Sequence, residues 1–456
     1  MRKPRAMTSI DAERAQMDVS TNDGDTIERA TMRKVTWRLV PFLMVCYFFA
    51  LLDRVNVGFA GLQMNRDLGF TPAVFGLGAS LFFVSYFLVE VPSNLALQRY
   101  GARRWIARIM ITWGLVSALM ALVVGPYSFY GMRLLLGAAE AGFFPGVLLF
   151  LTYWFPSQYR ARIVAIFMTS IPIASFLGSP MSALLLEMNG LGGLKGWQWL
   201  FILEGVPTML LGIVCLFFLT DRPSQARWLS EAQRTWLNQR IEGEAAKRKA
   251  IGHLSLLQLA RNKYFIVMAV VASGASAAGT SLSIWQPQLL KTFGLTTLQT
   301  GFVNSIPYGL ATIAMILWGR HSDRTRERRW HTAVALLLIA GGLGAISFAP
   351  QMIVPIVFLL SLALVGAYSF KGPFWALTSS WLSASTVAAG LAGINAIANL
   401  VGGGMISLIG VIKEATGSFA LSLLPLVALT TAGAICILVV SRSEARATPP
   451  AAAVTV

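Results

Sequence analysis

Charge is scarce in this sequence. Asp, Glu, Lys and Arg make up 12% of the 456 residues, against roughly 25% in soluble domains. Hydrophobic residues make up 55% of the chain, and the mean hydropathy is +0.64. So few charges cannot cover a water-facing surface of this size, because exposing apolar surface to water is unfavourable. The composition therefore indicates a protein that crosses the lipid bilayer several times.

Residues that carry redox, metal or nucleophilic chemistry are also few. The chain has three cysteines and three histidines, and neither set has the spacing of a disulfide, a zinc site or a catalytic nucleophile. No Gly-x-x-x-x-Gly-Lys-Ser/Thr string occurs, which argues against transport driven by ATP. We therefore predict that the chain is not an enzyme and that it uses no cofactor or metal.

Long apolar runs, in contrast, are abundant. Twelve runs of about 20 residues could each span a bilayer as a helix, and the polar segment 221–263 separates six of them from the other six. This pattern predicts an all-α membrane protein with twelve transmembrane helices in two six-helix lobes. The expected divisions are a disordered cytoplasmic tail (1–35), an N-terminal lobe (36–220), a cytoplasmic linker with an amphipathic helix (221–263), a C-terminal lobe (264–440) and a cytoplasmic tail (441–456).

The net charge of +17 comes from basic residues that are concentrated in one set of loops and in the two tails. Of the 37 Lys and Arg residues, 28 lie in the two tails and in the loops after spans 2, 4, 6 and 8. By the positive-inside rule both termini are cytoplasmic, and an even number of spans requires the termini to share a side. The basic charge is thus explained by membrane topology and not by nucleic-acid binding. We expect a monomeric, multi-pass protein of the bacterial inner membrane.

Six charged residues nevertheless lie inside apolar runs: Asp53, Arg54, Glu90, Arg133, Glu140 and Lys371. Each would cost about 3 kcal/mol at the bilayer centre, so we expect them to line a polar pathway. Arg133 and Glu140 are two helical turns apart and share one face of span 4. Asp53 and Arg54 point about 100° apart, so that one can face span 4 and the other the cavity. The alternative is that both pairs are structural ion pairs.

Two basic loops occupy matching places after spans 2 and 8, one in each half of the chain. Together with the two six-span halves, they resemble the Gly-x-x-x-Asp-Arg-x-Gly-Arg-Arg signature of the major facilitator superfamily. The residues that carry the resemblance are Arg99, Gly101, Arg103, Gly319, Asp323 and Arg324. The first loop departs from the signature, because Asn94 and Gln98 replace its Gly and Asp. The resemblance implies that these loops belong to a cytoplasmic gate.

Five further strings resemble one branch of that superfamily, the anion:cation symporters, which includes sugar-acid, tartrate, phthalate and hydroxyphenylacetate permeases. The strings are LLDRVNVGFA (51–60), RLLLGAAEAGFFPGV (133–147), GWQWLFILEGVP (196–207), TDRPSQARWLS (220–230) and KGPFWAL (371–377). The resemblance implies that Asp53 and Glu140 couple transport to protons and that Arg54 and Arg133 bind the anion. Arrival of substrate at an arginine would then change the proton affinity of a neighbouring carboxyl group.

Other span residues are candidates for the lining of the site. Lys371 lies beside Gly372-Pro373, and broken helices are where transporters place binding sites. A snorkelling lysine is the alternative. The further candidates are Tyr86, which the resemblance implies to be a substrate-site tyrosine, and Trp375, Asn395, Asn399 and Trp285. Trp375 could instead be a core residue, and the asparagines could join helices. Glu90 lies near the cytoplasmic end of span 2, so we expect it to act in a gate or in a structural pair.

These observations favour proton-coupled secondary uptake of a small organic carboxylate by alternating access. A proton-driven exporter of drugs or other organic compounds is the first alternative, since it can use the same fold. An uncoupled anion facilitator is the second. Fixed cations in the predicted pathway disfavour cationic substrates.

Overall fold

The computed structural model describes residues 9–249, 263–350, 352–381 and 387–447, and these residues form helices without any strand. The N-terminal half contains α1 (Ser9–Asp67), α2 (Pro72–Tyr100), α3 (Ala102–Leu119), α4 (Pro126–Glu140), α5 (Phe143–Trp154), α6 (Ser157–Met168), α7 (Ser170–Leu186), α8 (Gly196–Phe218) and α9 (Glu231–Lys249). The C-terminal half contains α10 (Lys263–Lys291), α11 (Thr297–Thr325), α12 (Arg329–Ala345), α13 (Ile353–Ser369), α14 (Lys371–Trp381), α15 (Val387–Thr416), α16 (Phe419–Ser422) and α17 (Leu424–Ala447).

These helices make up twelve membrane spans. Among the described residues, eleven stretches are long and apolar enough to cross a bilayer, and the shorter apolar helix Arg329–Ala345 supplies the remaining span. The predicted all-α, twelve-span fold is therefore confirmed. Helix α9 lies within the predicted linker, and α1 begins at Ser9, inside the predicted N-terminal tail. Residues 1–8 and 448–456 of the tails and 250–262 of the linker lie outside the described residues.

Span 4 is broken in its middle, which the apolar pattern did not predict. Helix α4 ends at Glu140 and α5 begins at Phe143. Between them Gly142 has φ +90°, a conformation that residues with a side chain rarely adopt. A Cβ at this glycine would also lie 2.8 Å from Ser93 Cβ. The break places Glu140 at a helix end inside the membrane, where irregular backbone is tolerated only within protein or along a cavity.

The two lobes touch on the side away from the linker, which we call the far side. Here α1 crosses α10 at Gly58, where a Cβ would lie 2.8 Å from the carbonyl oxygens of Ser283 and Ile284. Two hydrogen bonds also join the lobes on this side. Asn304 Nδ2 donates to Ser179 Oγ (2.8 Å), and the Ala73 N–H donates to Glu414 Oε2 (2.8 Å). The far side of the lobe interface is therefore closed.

Gly58→Ala should destabilise this closed interface. The added methyl group would contact backbone oxygens that cannot turn away, and overpacking of this kind costs about 1–3 kcal/mol. We expect a lower midpoint of thermal unfolding in detergent. Gly404→Ala is the matched control, because a Cβ there meets nothing within 4 Å. Equal midpoints for the two variants would mean that the α1–α10 crossing tolerates a side chain.

Candidate functional site

A cavity of about 280 Å³ lies between the lobes. This volume is close to the lower end of the range for small-molecule sites, about 300–1,000 Å³. Helices α1, α2, α5, α6 and α7 line it from the N-terminal lobe, and α10, α13, α14 and α15 line it from the C-terminal lobe. Six of the eight predicted substrate residues line this cavity: Arg54, Tyr86, Lys371, Trp375, Asn395 and Asn399.

Arg54 and Glu140 form an ion pair at the wall of the cavity. Arg54 Nη2 lies 2.7 Å from Glu140 Oε1, and Arg54 Nε donates to the same oxygen at 2.8 Å. The Arg54 side chain is 28% exposed and that of Glu140 only 2%, so the arginine stands between the cavity and the carboxylate. The other carboxylate oxygen, Oε2, is buried without a hydrogen-bond partner. The guanidinium also lies 5.1 Å from the centre of the Tyr86 ring.

Asp53 is buried on the opposite side of α1 from the cavity. It accepts hydrogen bonds from Trp113 Nε1, from Ser117 Oγ (2.5 Å) and from Asn56 Nδ2 (2.7 Å). Asp53 and Arg54 therefore diverge, as their adjacent positions on the helix predict, but Asp53 faces α3 of span 3 and not span 4.

Arg133 is placed away from the cavity. It is 2% exposed, and its Nη2 donates to the Ala79 carbonyl at 3.3 Å. Its guanidinium carbon lies 4.9 Å from the centre of the Phe82 ring. The described structure therefore gives Arg133 a packing environment between α2 and α4. Arg133 and Glu140 are on one helix, as predicted, but they meet different neighbours.

Lys371 brings a positive charge to the cavity from the C-terminal lobe. Helix α13 ends at Ser369 and α14 begins at Lys371, so the lysine lies at the predicted break. Its Nζ is 4.8 Å from the centre of the Tyr368 ring, and Lys371 takes part in none of the salt bridges found among the described residues. The Tyr368 hydroxyl is 2.9 Å from Ser175 Oγ of the other lobe. Neither Tyr368 nor Ser175 was predicted; Tyr368 lies three residues before Lys371, just outside the string KGPFWAL (371–377).

The C-terminal wall of the cavity also carries neutral polar groups. Ser276 Oγ donates to Asn399 Oδ1 at 3.4 Å, and Thr280, Ser283 and Asn395 lie in the same lining. Hydroxyl and amide groups of this kind can bind both the hydroxyls and the carboxylates of a substrate.

Two other predicted residues lie elsewhere. Trp285 is 1% exposed, donates through Nε1 to the Ile406 carbonyl (3.1 Å) and packs edge-on against Phe75 of the other lobe. It thus contributes to the closed far side and not to the cavity lining. Glu90 is half-buried near the linker-side end of α2, and its carbonyl accepts a hydrogen bond from Asn94 Nδ2 (2.8 Å). This position is compatible with the predicted gate role.

The signature loops lie on the linker side. The Arg103 N–H donates to Asp221 Oδ1 (2.8 Å), and Arg103 Nε is 3.9 Å from Asp221 Oδ2. The linker therefore supplies an acidic partner to the loop in which Gln98 replaces the signature Asp. In the second loop Asp323 pairs with Arg328 at 2.5 Å. The other signature residues are at the surface or half-buried: Arg99, Gly101, Gly319 and Arg324.

The arrangement of charges makes the cavity suitable for an anion. The Arg54–Glu140 pair is neutral as a unit when both groups are ionised, whereas Lys371 has no carboxylate partner within the described part of the chain. A carboxylate entering the cavity would meet Lys371 directly. It could reach the N–H groups of Arg54 fully only if Glu140 released them.

Comparison with known proteins identifies the family. A profile of the Major Facilitator Superfamily matches residues 43–406. An Agrobacterium vitis protein named "Putative tartrate transporter" is 50% identical over 429 residues, which cover 94% of each chain. An Acinetobacter baumannii protein named "Quinolone resistance transporter" is 40% identical, with 87% of this chain and 91% of its own covered. Among solved structures, the fold is similar to a bacterial homologue of the human lysosomal transporter Spinster, in an inward-facing and occupied conformation. The TM-score is 0.75 and the sequence identity is 15%, and the match covers 91% of this chain and 98% of the homologue. The chain therefore belongs to the Major Facilitator Superfamily and is a secondary transporter.

Proposed function

We propose that this transporter takes up a small organic carboxylate together with protons. The observation that carries the proposal is the ion pair between Arg54 and Glu140 at the cavity wall. A proton on Glu140 neutralises the carboxylate and releases the guanidinium, whose fork of N–H groups suits a substrate carboxylate. Proton and anion thus favour each other's binding, which is the requirement for symport.

The substrate class follows from the two cations that face the cavity. Arg54 belongs to the N-terminal lobe and Lys371 to the C-terminal lobe, so a dicarboxylate can bridge the lobes with one carboxylate on each cation. Neutral donors from Ser276, Asn395 and Asn399 suit hydroxyl groups between the carboxylates. The name of the Agrobacterium vitis relative, a tartrate transporter, supports the same class.

The positive-inside rule gives the proposed orientation. By this rule the linker and both termini lie in the cytoplasm, so the closed far side faces the periplasm and the conformation is inward-facing. Alternating access then consists of opening the far side and closing the cytoplasmic side, around Arg54 and Lys371 at mid-membrane. We place the protein in the bacterial inner membrane as a monomer.

Uptake into proteoliposomes tests this proposal. An imposed inward proton gradient should drive accumulation of labelled tartrate, a sugar acid or phthalate, and a protonophore should abolish it. Uptake that reaches only equilibrium and ignores the gradient would indicate an uncoupled facilitator instead. No saturable uptake of any of the three carboxylates would contradict the proposed substrate class.

Export of a quinolone is the second candidate function, because the Acinetobacter baumannii relative is named for quinolone resistance. A quinolone that carries a carboxylate could use the same cations. The same proteoliposomes separate the two directions: an exporter exchanges internal protons for external drug under an outwardly directed proton gradient, whereas a symporter accumulates its anion under an inward one.

Lys371→Gln should weaken carboxylate binding by about tenfold to a hundredfold. The reason is the loss of a charge-assisted hydrogen bond, worth about 1.5–3 kcal/mol. Titration calorimetry of the purified protein with tartrate measures the change. Lys195→Gln is the matched control, because Lys195 is exposed in the loop before α8, outside the cavity lining. Unchanged affinity in Lys371→Gln would remove Lys371 from the site.

A further inference from the structure

Tyr368 is a cavity residue to which the transport cycle proposed above gives no role. It lies in α13, is 7% exposed and lines the cavity from the C-terminal lobe. Its hydroxyl group is 2.9 Å from Oγ of Ser175, a residue of α7 that lines the cavity from the N-terminal lobe. This hydrogen bond therefore crosses the lobe interface at the edge of the proposed substrate site.

Ser175 is the acceptor of this hydrogen bond. Ser175 Oγ donates to the Ile171 carbonyl of its own helix at 3.1 Å. A serine hydroxyl group has one hydrogen atom to donate, and the bond to Ile171 uses it. The Tyr368 hydroxyl therefore donates to Ser175. If the two lobes separate on this side, the hydrogen atom of Tyr368 becomes available to another acceptor in the cavity.

A second hydrogen bond of the same kind lies one helical turn further along α7. Ser179 Oγ donates to the Ser175 carbonyl at 3.2 Å and accepts from Asn304 Nδ2 of the C-terminal lobe at 2.8 Å. Ser175 and Ser179 thus each accept a hydrogen bond from the opposite lobe, and both bonds must break when the far side opens. Ser179 lies outside the cavity lining, so the bond between Tyr368 and Ser175 is the one of the two that a substrate can reach.

Lys371, the proposed substrate cation of the C-terminal lobe, lies beside Tyr368. Its Nζ is 4.8 Å from the centre of the Tyr368 ring, and the ring also packs edge-on against Tyr308, with 6.2 Å between the ring centres. A carboxylate that binds Lys371 can therefore also accept a hydrogen bond from the Tyr368 hydroxyl. Hydrogen bonds to an ionised acceptor are stronger than those between neutral groups, so such a carboxylate competes with Ser175.

We propose that the Tyr368 hydroxyl alternates between two acceptors: Ser175 when the far side is closed, and a carboxylate of the substrate when it is open. The second acceptor rests on the carboxylate uptake proposed above. Closure of the far side withdraws one hydrogen bond from the substrate and so lowers the affinity of the inward-facing conformation. By linkage, bound substrate favours opening of the far side to the same extent. Tyr368 therefore promotes release of the anion on the cytoplasmic side.

Two variants that break the same hydrogen bond from its opposite ends test the proposal. In titration calorimetry with tartrate, Ser175→Ala should bind about twofold to tenfold more tightly, because it removes a neutral hydrogen bond that only the unliganded protein makes. Tyr368→Phe should bind about twofold to tenfold more weakly, because the bond it loses to the carboxylate is stronger than the bond it loses to Ser175. A hydroxyl group that served the gate alone would give equal changes in the two variants. Equal changes, or weaker binding in Ser175→Ala, would overturn the proposal.

Matched controls separate these effects from a general loss of packing. Ser273→Ala removes a buried serine hydroxyl that likewise donates to a carbonyl four residues earlier in its own helix, that of Ala269 at 2.7 Å. Tyr127→Phe removes a tyrosine hydroxyl at a position that is 89% exposed. Both controls should bind tartrate with wild-type affinity.

Distances between spin labels test the gate without any ligand. Glu187→Cys and Thr292→Cys place the labels at exposed positions on the far side, after α7 and after α10. The native Cys46 and Cys215 are buried, and Cys436→Ser removes the remaining native cysteine. Electron–electron resonance between the two labels then reports the separation of the lobes on this side.

In this labelled protein, Ser175→Ala and Tyr368→Phe should each raise the ratio of open to closed far side by about twofold to tenfold, and Ser273→Ala should leave it unchanged. Unchanged distances in both variants would overturn the proposal. If the wild-type protein binds no carboxylate, the proposed function fails and the second acceptor fails with it. The distances would still decide whether the bond between Tyr368 and Ser175 holds the far side closed.

Discussion

Replacing Arg54 with alanine should reduce carboxylate uptake about 30-fold or more. Arg54 is the cavity residue that contacts both the proposed substrate and Glu140, and truncating one member of a buried charge pair costs about 2–5 kcal/mol. Arg54→Lys should recover only part of the activity, because an ammonium group cannot form the bidentate contact of a guanidinium. Initial rates of tartrate uptake in proteoliposomes, normalised to the amount of protein inserted, measure both effects.

The control must separate loss of binding from loss of structure. Arg66→Ala removes an arginine from the same helix at an exposed position, where the side chain is 83% exposed, and should leave uptake unchanged. Arg54→Ala also leaves the Glu140 charge buried without its partner. The double variant Arg54→Ala/Glu140→Gln removes that charge and should regain stability while remaining inactive. Recovery of uptake in the double variant would contradict a role for Arg54 in substrate binding.

The overall fold could be predicted because its causes are local in the sequence. A bilayer demands about 20 apolar residues per helix, so the twelve spans and the division at residues 221–263 were visible in the chain. The cost of charge in lipid likewise singled out Arg54, Glu140 and Lys371. These residues did prove to be at the cavity or directly behind it.

What could not be predicted depends on how helices pack against one another. The free-energy cost of a charge in lipid applies equally to Arg133 and to Arg54. Only the packing of α2 against α4 determines that Arg133 donates to the Ala79 carbonyl. Trp285 lies only two residues beyond the cavity residue Ser283 of α10, but the closed far side buries it. The helix break at Gly142 is visible only in the backbone conformation, because a glycine inside an apolar run does not by itself show that its φ angle is positive. Glu204 could not be singled out from the sequence, because the lack of a hydrogen-bond partner at its Oε2 is visible only in three dimensions.

Glu140→Gln should uncouple transport from the proton gradient. Glutamine is nearly isosteric with the protonated acid, so Arg54 remains free to bind the anion, but the side chain no longer exchanges a proton. One pH unit is worth about 1.4 kcal/mol per proton, which corresponds to about tenfold accumulation for each coupled proton. Under a gradient of one pH unit, the variant should therefore lose about tenfold in steady-state accumulation.

Counterflow exchange separates a loss of proton coupling from a loss of substrate binding. Exchange of labelled for unlabelled tartrate needs binding and alternating access but no net proton movement, so Glu140→Gln should retain it. Glu187→Gln, at an exposed position in the same lobe, should retain both exchange and accumulation. Equal loss of exchange and accumulation in Glu140→Gln would mean that Glu140 serves the structure of the site. Full retention of accumulation would move the coupling proton to another group, for which Asp53 is the next to test.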